Sequence, residues 1–165
     1  MTDAYIIDAA RTPRGIGKAG KGALSHIHSG RLLAKVFEAI GERNDLKTED
    51  IDDIVVGCSS QVGNQGGDVG RMAALDAGWS TSASGVTLDR FCGSGITSAN
   101  IAAANIMSGM EDLTIAGGVE MMSYTNQLSG ADRNGNMTVD GGNIHLRDQY
   151  PQPHQGIFAD LIATL

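Results

Sequence analysis

Two cysteines, Cys58 and Cys92, are the only thiols of the chain, and their surroundings differ. Cys92 stands in Asp89-Arg90-Phe91-Cys92-Gly93-Ser94-Gly95, after the strand-like run Ser84 to Leu88 and before an uncharged stretch from Gly93 to Met110. A cysteine between a strand and the first turn of a helix faces that turn's unpaired N–H groups. Those groups favour a thiolate and can donate to a developing oxyanion. Gly93-Ser94-Gly95 keeps bulky side chains away from the approach. A helix terminus supplies roughly 0.3–2 kcal/mol, too little to ionise a thiol fully at neutral pH, so a nucleophile here needs a base. An inert buried cysteine is the commoner fate of the residue, and local context alone leaves the two readings level. Cys58 ends the apolar run Ile54-Val55-Val56-Gly57-Cys58 and reads as a packed core thiol.

Other chemistry-bearing patterns are weaker. Gly15-Ile16-Gly17-Lys18-Ala19-Gly20-Lys21 has GxGxxG spacing and most of a phosphate loop, but Gly22 stands where magnesium needs Ser or Thr, and no apolar helix follows at once. His26 and His28 lack a nearby carboxylate or thiol partner, so no metal site is expected. Asp132 to Asp140 has its glycine at the wrong offset for a calcium loop. Asn136-Met137-Thr138 is a glycosylation sequon without a secretion signal before it. Arg133 and Arg147 are candidates for contacts to the phosphates of an anionic ligand, with solvated surface charge as the plainer reading.

The elements that must hold Cys92 follow from periodicity. Strands are expected at Ala4–Ala9, Ile54–Cys58, Ser84–Leu88 and Leu113–Ala116. Between them, Leu32, Leu33, Val36, Phe37 and Ile40 recur at helical spacing with Gly41 as a left-handed stop, and Asp68 caps a second helix through Met72 and Leu75 to Gly78. The third helix, from Gly93 to Met110, is apolar on every face and is expected to be buried all round. Strand–helix alternation with apolar strands predicts a mostly parallel α/β sheet covered on both faces. From Met121 to about Pro153 a Gly/Asn/Asp-rich stretch breaks the pattern like an insertion or lid; a new helix then begins, with Phe158, Leu161, Ile162 and Leu165 at helical spacing. It ends without a cap, which reads as a truncated chain.

The 165 residues are enough for one domain with a core. A net charge of −7 disfavours nucleic acid and anionic membranes, though a local pair of Arg or Lys could still hold an anionic ligand. The two thiols, the absence of a long apolar run and the acidic N-terminus point to a reduced, cytoplasmic protein. Glycine accounts for 23 residues, set between periodic segments, which implies tight turns and close backbone approach rather than disorder.

Four ordered segments carry a resemblance to the thiolases over nearly the whole chain. Ala9-Ala10-Arg11-Thr12-Pro13 resembles the family's opening, and Asp89 to Gly95 its active-site segment Asn-x-x-Cys-x-Ser-Gly. Ala116-Gly117-Gly118-Val119-Glu120-Met121-Met122-Ser123 is similar to the Ala-Gly-Gly-x-Glu-x-Met-Ser turn, and His154-Gln155-Gly156 with Ala159-Asp160 to the His-Met-Gly segment of the loop domain. The resemblance implies a layered α/β/α fold: residues 1–120 as a partial N-terminal domain and 121–165 as the start of a loop domain. It implies an acyltransferase of fatty acid metabolism acting on acyl-CoA and CoA, with coenzyme A as substrate, no cofactor, and a homodimer or homotetramer as the assembly. Cys92 would be the nucleophile forming an acyl thioester, its backbone N–H part of an oxyanion hole, with His154, Gln155 and Gly156 near the substrate. Gly118 and Glu120 would be structural, Glu120 in a buried role.

Asp89 replaces the usual Asn, Met121 the usual Ser and Gln155 the usual Met, the last implying a more polar acyl pocket. The family's Asn segment, Gly-His-Pro histidine and Cys-x-Gly cysteine have no counterpart in these residues, so the chain by itself is expected to be inactive. The alternatives are a non-catalytic acyl-CoA-binding fragment or subunit, and a ketoacyl synthase relative.

Overall fold

The computed structural model describes residues 3–128 and 141–165. The chain divides into two units, Met1–Gln127 and Leu128–Leu165. Arg133, the segment Asp132–Asp140 and the Asn136 sequon lie outside the described residues.

Three parallel strands organise the first unit: β1 (Asp53–Gly57), β2 (Val86–Leu88) and β3 (Thr114–Gly118), in the order β2-β1-β3. Val55 sits opposite both Val86 and Ala116, and Gly57 opposite both Leu88 and Gly118. As the central strand, β1 must be apolar on both faces. Its alternation divides those faces. Ile54, Val56 and Cys58 join a core with Leu33 and Phe37 of α1 (Ser29–Asn44) and Val69 and Ala73 of α2 (Val69–Asp76). Val55 and Gly57 point the other way, toward α3 (Ser94–Ser108), which packs on β1 and β3. From β1 through α2 to β2 the chain moves one way along the sheet; from β2 through α3 to β3 it moves back across β1. Right-handed crossovers in opposite directions place their helices on opposite faces, and that is the arrangement found.

Asp68 caps α2 as its sequence context predicts. Its Oδ1 accepts from Arg71 N at 3.4 Å and from Thr87 Oγ1 at 2.7 Å, tying the helix start to β2. Gly41 does not stop α1: the helix runs on to Asn44 and ends at Asp45, left-handed with φ 47°. Gly41 instead makes room for Trp79, whose Nε1 would lie 3.4 Å from an added Cβ and whose ring stacks on Phe37 at 4.8 Å.

Two further expectations fail. Residues 4–9 form no strand, and Ile6 is 93% exposed. The described sheet edges, β2 and β3, take no partner from this segment. Side chains dock it instead: the Asp8 carboxylate accepts from Arg43 Nη2 at 2.7 Å and Asn44 Nδ2 at 2.8 Å, near the end of α1. Nor is α3 buried all round. Ser94, Thr97, Ser98 and Ala102 face inward, while Ile96 is 72% exposed, because the sheet covers only one side of the helix.

A short helix α4 (Met122–Thr125) closes the first unit. The second unit contains α5 (Ile144–Gln149), capped by Asn143, and α6 (Gln155–Ala163), the helix expected after Pro153. No helix among the described residues is long and apolar enough to cross a membrane.

Candidate active site

In an open parallel sheet, ligands bind outside the carboxyl ends of the strands, where the strand order reverses. Three segments meet at that edge here: Cys58–Gln61 after β1, Asp89–Gly93 after β2, and Val119–Met121 after β3.

The segment after β2 is a strained elbow. Phe91 has φ 49°, an uncommon conformation for a residue with a Cβ, and it immediately precedes Cys92. The elbow delivers Cys92 to the start of α3 with its side chain exposed. Gly93, the N-cap of α3, offers no side-chain acceptor, so no side chain caps the first-turn N–H groups. The elbow thus leaves an exposed thiol beside a helix start that no side chain caps.

β1 brings α3 into place by close backbone approach. A Cβ on Gly57 would lie 2.4 Å from the Ser94 carbonyl carbon and 2.7 Å from Gly95 N. A Cβ on Gly118 would lie 3.0 Å from the Gly57 carbonyl oxygen. Sequence reasoning missed Gly57; a glycine ending an apolar strand was the available signal.

Glu120 gathers the remaining loops. Its carboxylate accepts from Ser59 N at 2.8 Å, Ser60 N at 3.2 Å and Gln65 Nε2 at 3.1 Å. The residue is exposed rather than buried, and its structural role rests on these bonds. The buried partner is Gln65, at 0% exposure, which also donates to Ser60 O and accepts from Met121 N. Nothing in the sequence singled out Gln65.

Cys58 is 1% exposed. Burial, then the Glu120 and Asp89 carboxylates, push its thiol up to about 12, so it is no nucleophile. This shift sets a pH dependence. The unfolded thiol titrates near 9.0 and the folded one near 12, so between those values the unfolded state loses its proton first. Stability is therefore expected to fall as pH rises from about 9 to about 12. Urea unfolding at pH 8 and pH 10, followed through the single tryptophan Trp79, checks this. Cys58→Ala should flatten the decline; an unchanged decline would exclude Cys58 as its source.

His154, Gln155 and Gly156 lie together at the first turn of α6, in the second unit. His154 Nδ1 accepts from Gly156 N at 3.1 Å, so the neutral ring carries its proton on Nε2. His28 makes the same bond to Gly30 N at 3.1 Å and caps α1, which accounts for it without a metal. Arg147 lies in the last turn of α5. The glycine-rich loop 15–22 precedes no helix until Ser29, and a Cβ on Gly22 would lie 2.5 Å from Ile16 O, so glycine is required there for packing. A shallow cavity of about 270 Å³ between Glu42, Asp45, Thr48 and Trp79 has no elbow residue in its lining.

A family model for the thiolase N-terminal domain matches residues 4–164. A steroid 3-ketoacyl-CoA thiolase of Mycobacterium tuberculosis is 42% identical over 123 residues, covering 74% of this chain and 30% of that protein. A 3-oxoadipyl-CoA/3-oxo-5,6-dehydrosuberyl-CoA thiolase of Escherichia coli is 46% identical over 124 residues, with the same shares of 74% and 30%. The crystal structure of the Bacillus anthracis acetyl-CoA acetyltransferase superposes with a TM-score of 0.59 at 32% identity, covering 65% of this chain and 27% of that one. The chain thus spans about a third of the length of these relatives. With the cysteine elbow at the carboxyl edge of a parallel sheet and a match across almost every residue, the chain belongs to the thiolase family, of which it carries the N-terminal domain.

Proposed function

We propose that this chain supplies the nucleophilic half of an acyl-CoA acyltransferase, with Cys92 carrying the acyl group. The observation behind this reading is the exposed Cys92 thiol at the uncapped start of α3. In thiolysis, the Cys92 thiolate attacks the 3-keto carbon of a 3-ketoacyl-CoA. The bond between the 2- and 3-carbons breaks, and the acetyl-CoA enolate leaves and takes up a proton. A thiolate of CoA then attacks the Cys92 thioester, releasing the shortened acyl-CoA and restoring the Cys92 thiolate. Reversed, the same steps join two acyl-CoA molecules. The Cys92 N–H serves the oxyanion of the thioester step.

Residues 121–165 begin the loop domain in this reading. There His154, fixed with its proton on Nε2, is a donor toward substrate, and Gln155 and Gly156 line the acyl pocket beside it. Coenzyme A is substrate and no further cofactor is needed. The enzyme works in the cytoplasm as a homodimer or homotetramer. The proton donor and the base that generates the thiolate belong to family segments not present in these residues, so the 165 residues assayed alone turn over negligibly.

Acetyl-CoA protection tests the reading. Over a long preincubation, excess acetyl-CoA is expected to leave a thioester-linked acetyl group on the Cys92 peptide, a single acylation that is slow without the absent base and needs no turnover, and so to slow iodoacetamide labelling of Cys92 severalfold. Labelling indifferent to acetyl-CoA, with no adduct, would overturn it. Protection without an adduct favours a non-catalytic acyl-CoA-binding chain.

A further inference from the structure

The elbow before Cys92 holds a left-handed phenylalanine, and such a conformation persists only where neighbours over-determine it. Phe91 is 60% exposed, so packing of its ring does not hold it. Its peptide groups are held instead. Asp89 Oδ1 accepts from Phe91 N at 2.6 Å on the near side. On the far side the Ser94 hydroxyl bridges the loop: Oγ accepts from Arg90 N at 2.9 Å and donates to Phe91 O at 2.6 Å. Ser94 N adds a second bond to Phe91 O at 3.1 Å, and Gly93 N bonds Arg90 O at 3.0 Å. Ser94 is 4% exposed, and its carbonyl is pressed against Gly57 of the central strand. The hydroxyl is therefore anchored to the sheet while it clips the two residues before the nucleophile.

We propose that Ser94 is a positioning residue for the nucleophile: its hydroxyl locks Phe91 in the left-handed conformation and so holds the Cys92 sulfur against the first turn of α3. This rests on Cys92 being the nucleophile. A side chain is needed because Ser94 N alone bonds Phe91 O and leaves Arg90 N without an acceptor. Without the hydroxyl, Phe91 is free to relax toward negative φ, and that rotation swings Cys92 away from the helix start.

The test compares iodoacetamide labelling of Cys92 at pH 7 in the 165-residue chain and in Ser94→Ala, with Trp79 fluorescence during thermal unfolding as the control for folding. Trp79 lies in the core on Phe37, on the sheet face opposite α3. Ser94→Ala is expected to slow Cys92 labelling about fivefold, within the range a helix terminus supplies, while the Trp79 transition survives. The double variant Phe91→Gly, Ser94→Ala is expected to regain most of the rate, because glycine adopts positive φ without strain. A purely structural serine would not be rescued in this way. Wild-type labelling in a folded Ser94→Ala overturns the proposal, as does a double variant that folds yet stays slow. Should Ser94→Ala lose its Trp79 transition, the double variant decides alone. If Cys92 of the unaltered chain is indifferent to acetyl-CoA, the nucleophile reading fails; if it is protected and only the Ser94 effects are missing, the positioning role fails.

Discussion

Iodoacetamide at pH 8 is expected to alkylate Cys92 at least about a thousand times faster than Cys58, because the reactive species is the thiolate. A thiol pushed up to about 12, as Cys58 is, is ionised to only about one part in 10⁴ at that pH. Accessibility acts in the same direction, since Cys58 is buried behind β1 and Cys92 is exposed. Peptide mapping after timed quenching gives both rates in one sample, and Cys92→Ser should remove the fast phase completely. Comparable rates at the two cysteines would contradict both the burial of Cys58 and the open placement of Cys92. If the rates become comparable only in urea, the contrast comes from the fold.

The second large effect is steric. In Gly57→Ala the new methyl would sit 2.4 Å from the Ser94 carbonyl carbon and 2.6 Å from its oxygen. Both sides of this contact are backbone: the central strand on one side, the first turn of α3 on the other. No side chain can rotate away, so strand and helix must separate. Overpacking typically costs about 1–3 kcal/mol, and a clash between two rigid elements belongs at or above the top of that range. For a chain of this size, about 3 kcal/mol lowers Tm by roughly 6–12 °C. Cys92 labelling should also lose its acetyl-CoA protection, since α3 moves with the elbow. Gly95→Ala is the matched control. A Cβ there meets nothing within 4 Å, and alanine is favoured over glycine inside a helix by about 1 kcal/mol, so its Tm should hold or rise slightly. Equal behaviour of the two variants would exclude the close approach at Gly57.

Much of this arrangement was legible along the chain. Ile54-Val55-Val56 is an apolar run with no polar residue alternating through it, and such a run reads as a strand covered on both faces. Asp68 ahead of an apolar helix reads as a cap, and a cysteine between strand and glycine-flanked helix reads as a candidate nucleophile at a helix start. The strand and the cap are found where they were expected because capping, turn chemistry and side-chain periodicity are set by residues within one or two turns of each other. Gly41 shows where local inference breaks: its form matches a helix stop, but Trp79, far along the chain, decides what it does.

The residue types and their order determined that Cys92 follows a strand and opens a helix, and that the sheet is parallel. Tertiary structure alone decided that Cys92 is open rather than packed, that Gly57 seats α3, that Gln65 and Glu120 tie the loops together at one edge, and that residues 4–9 dock through Asp8 rather than pair as a strand. The reason is the reach of the forces. Local propensity acts between near neighbours in sequence, whereas steric exclusion, desolvation and buried hydrogen bonds act between whatever groups the fold brings within a few ångströms.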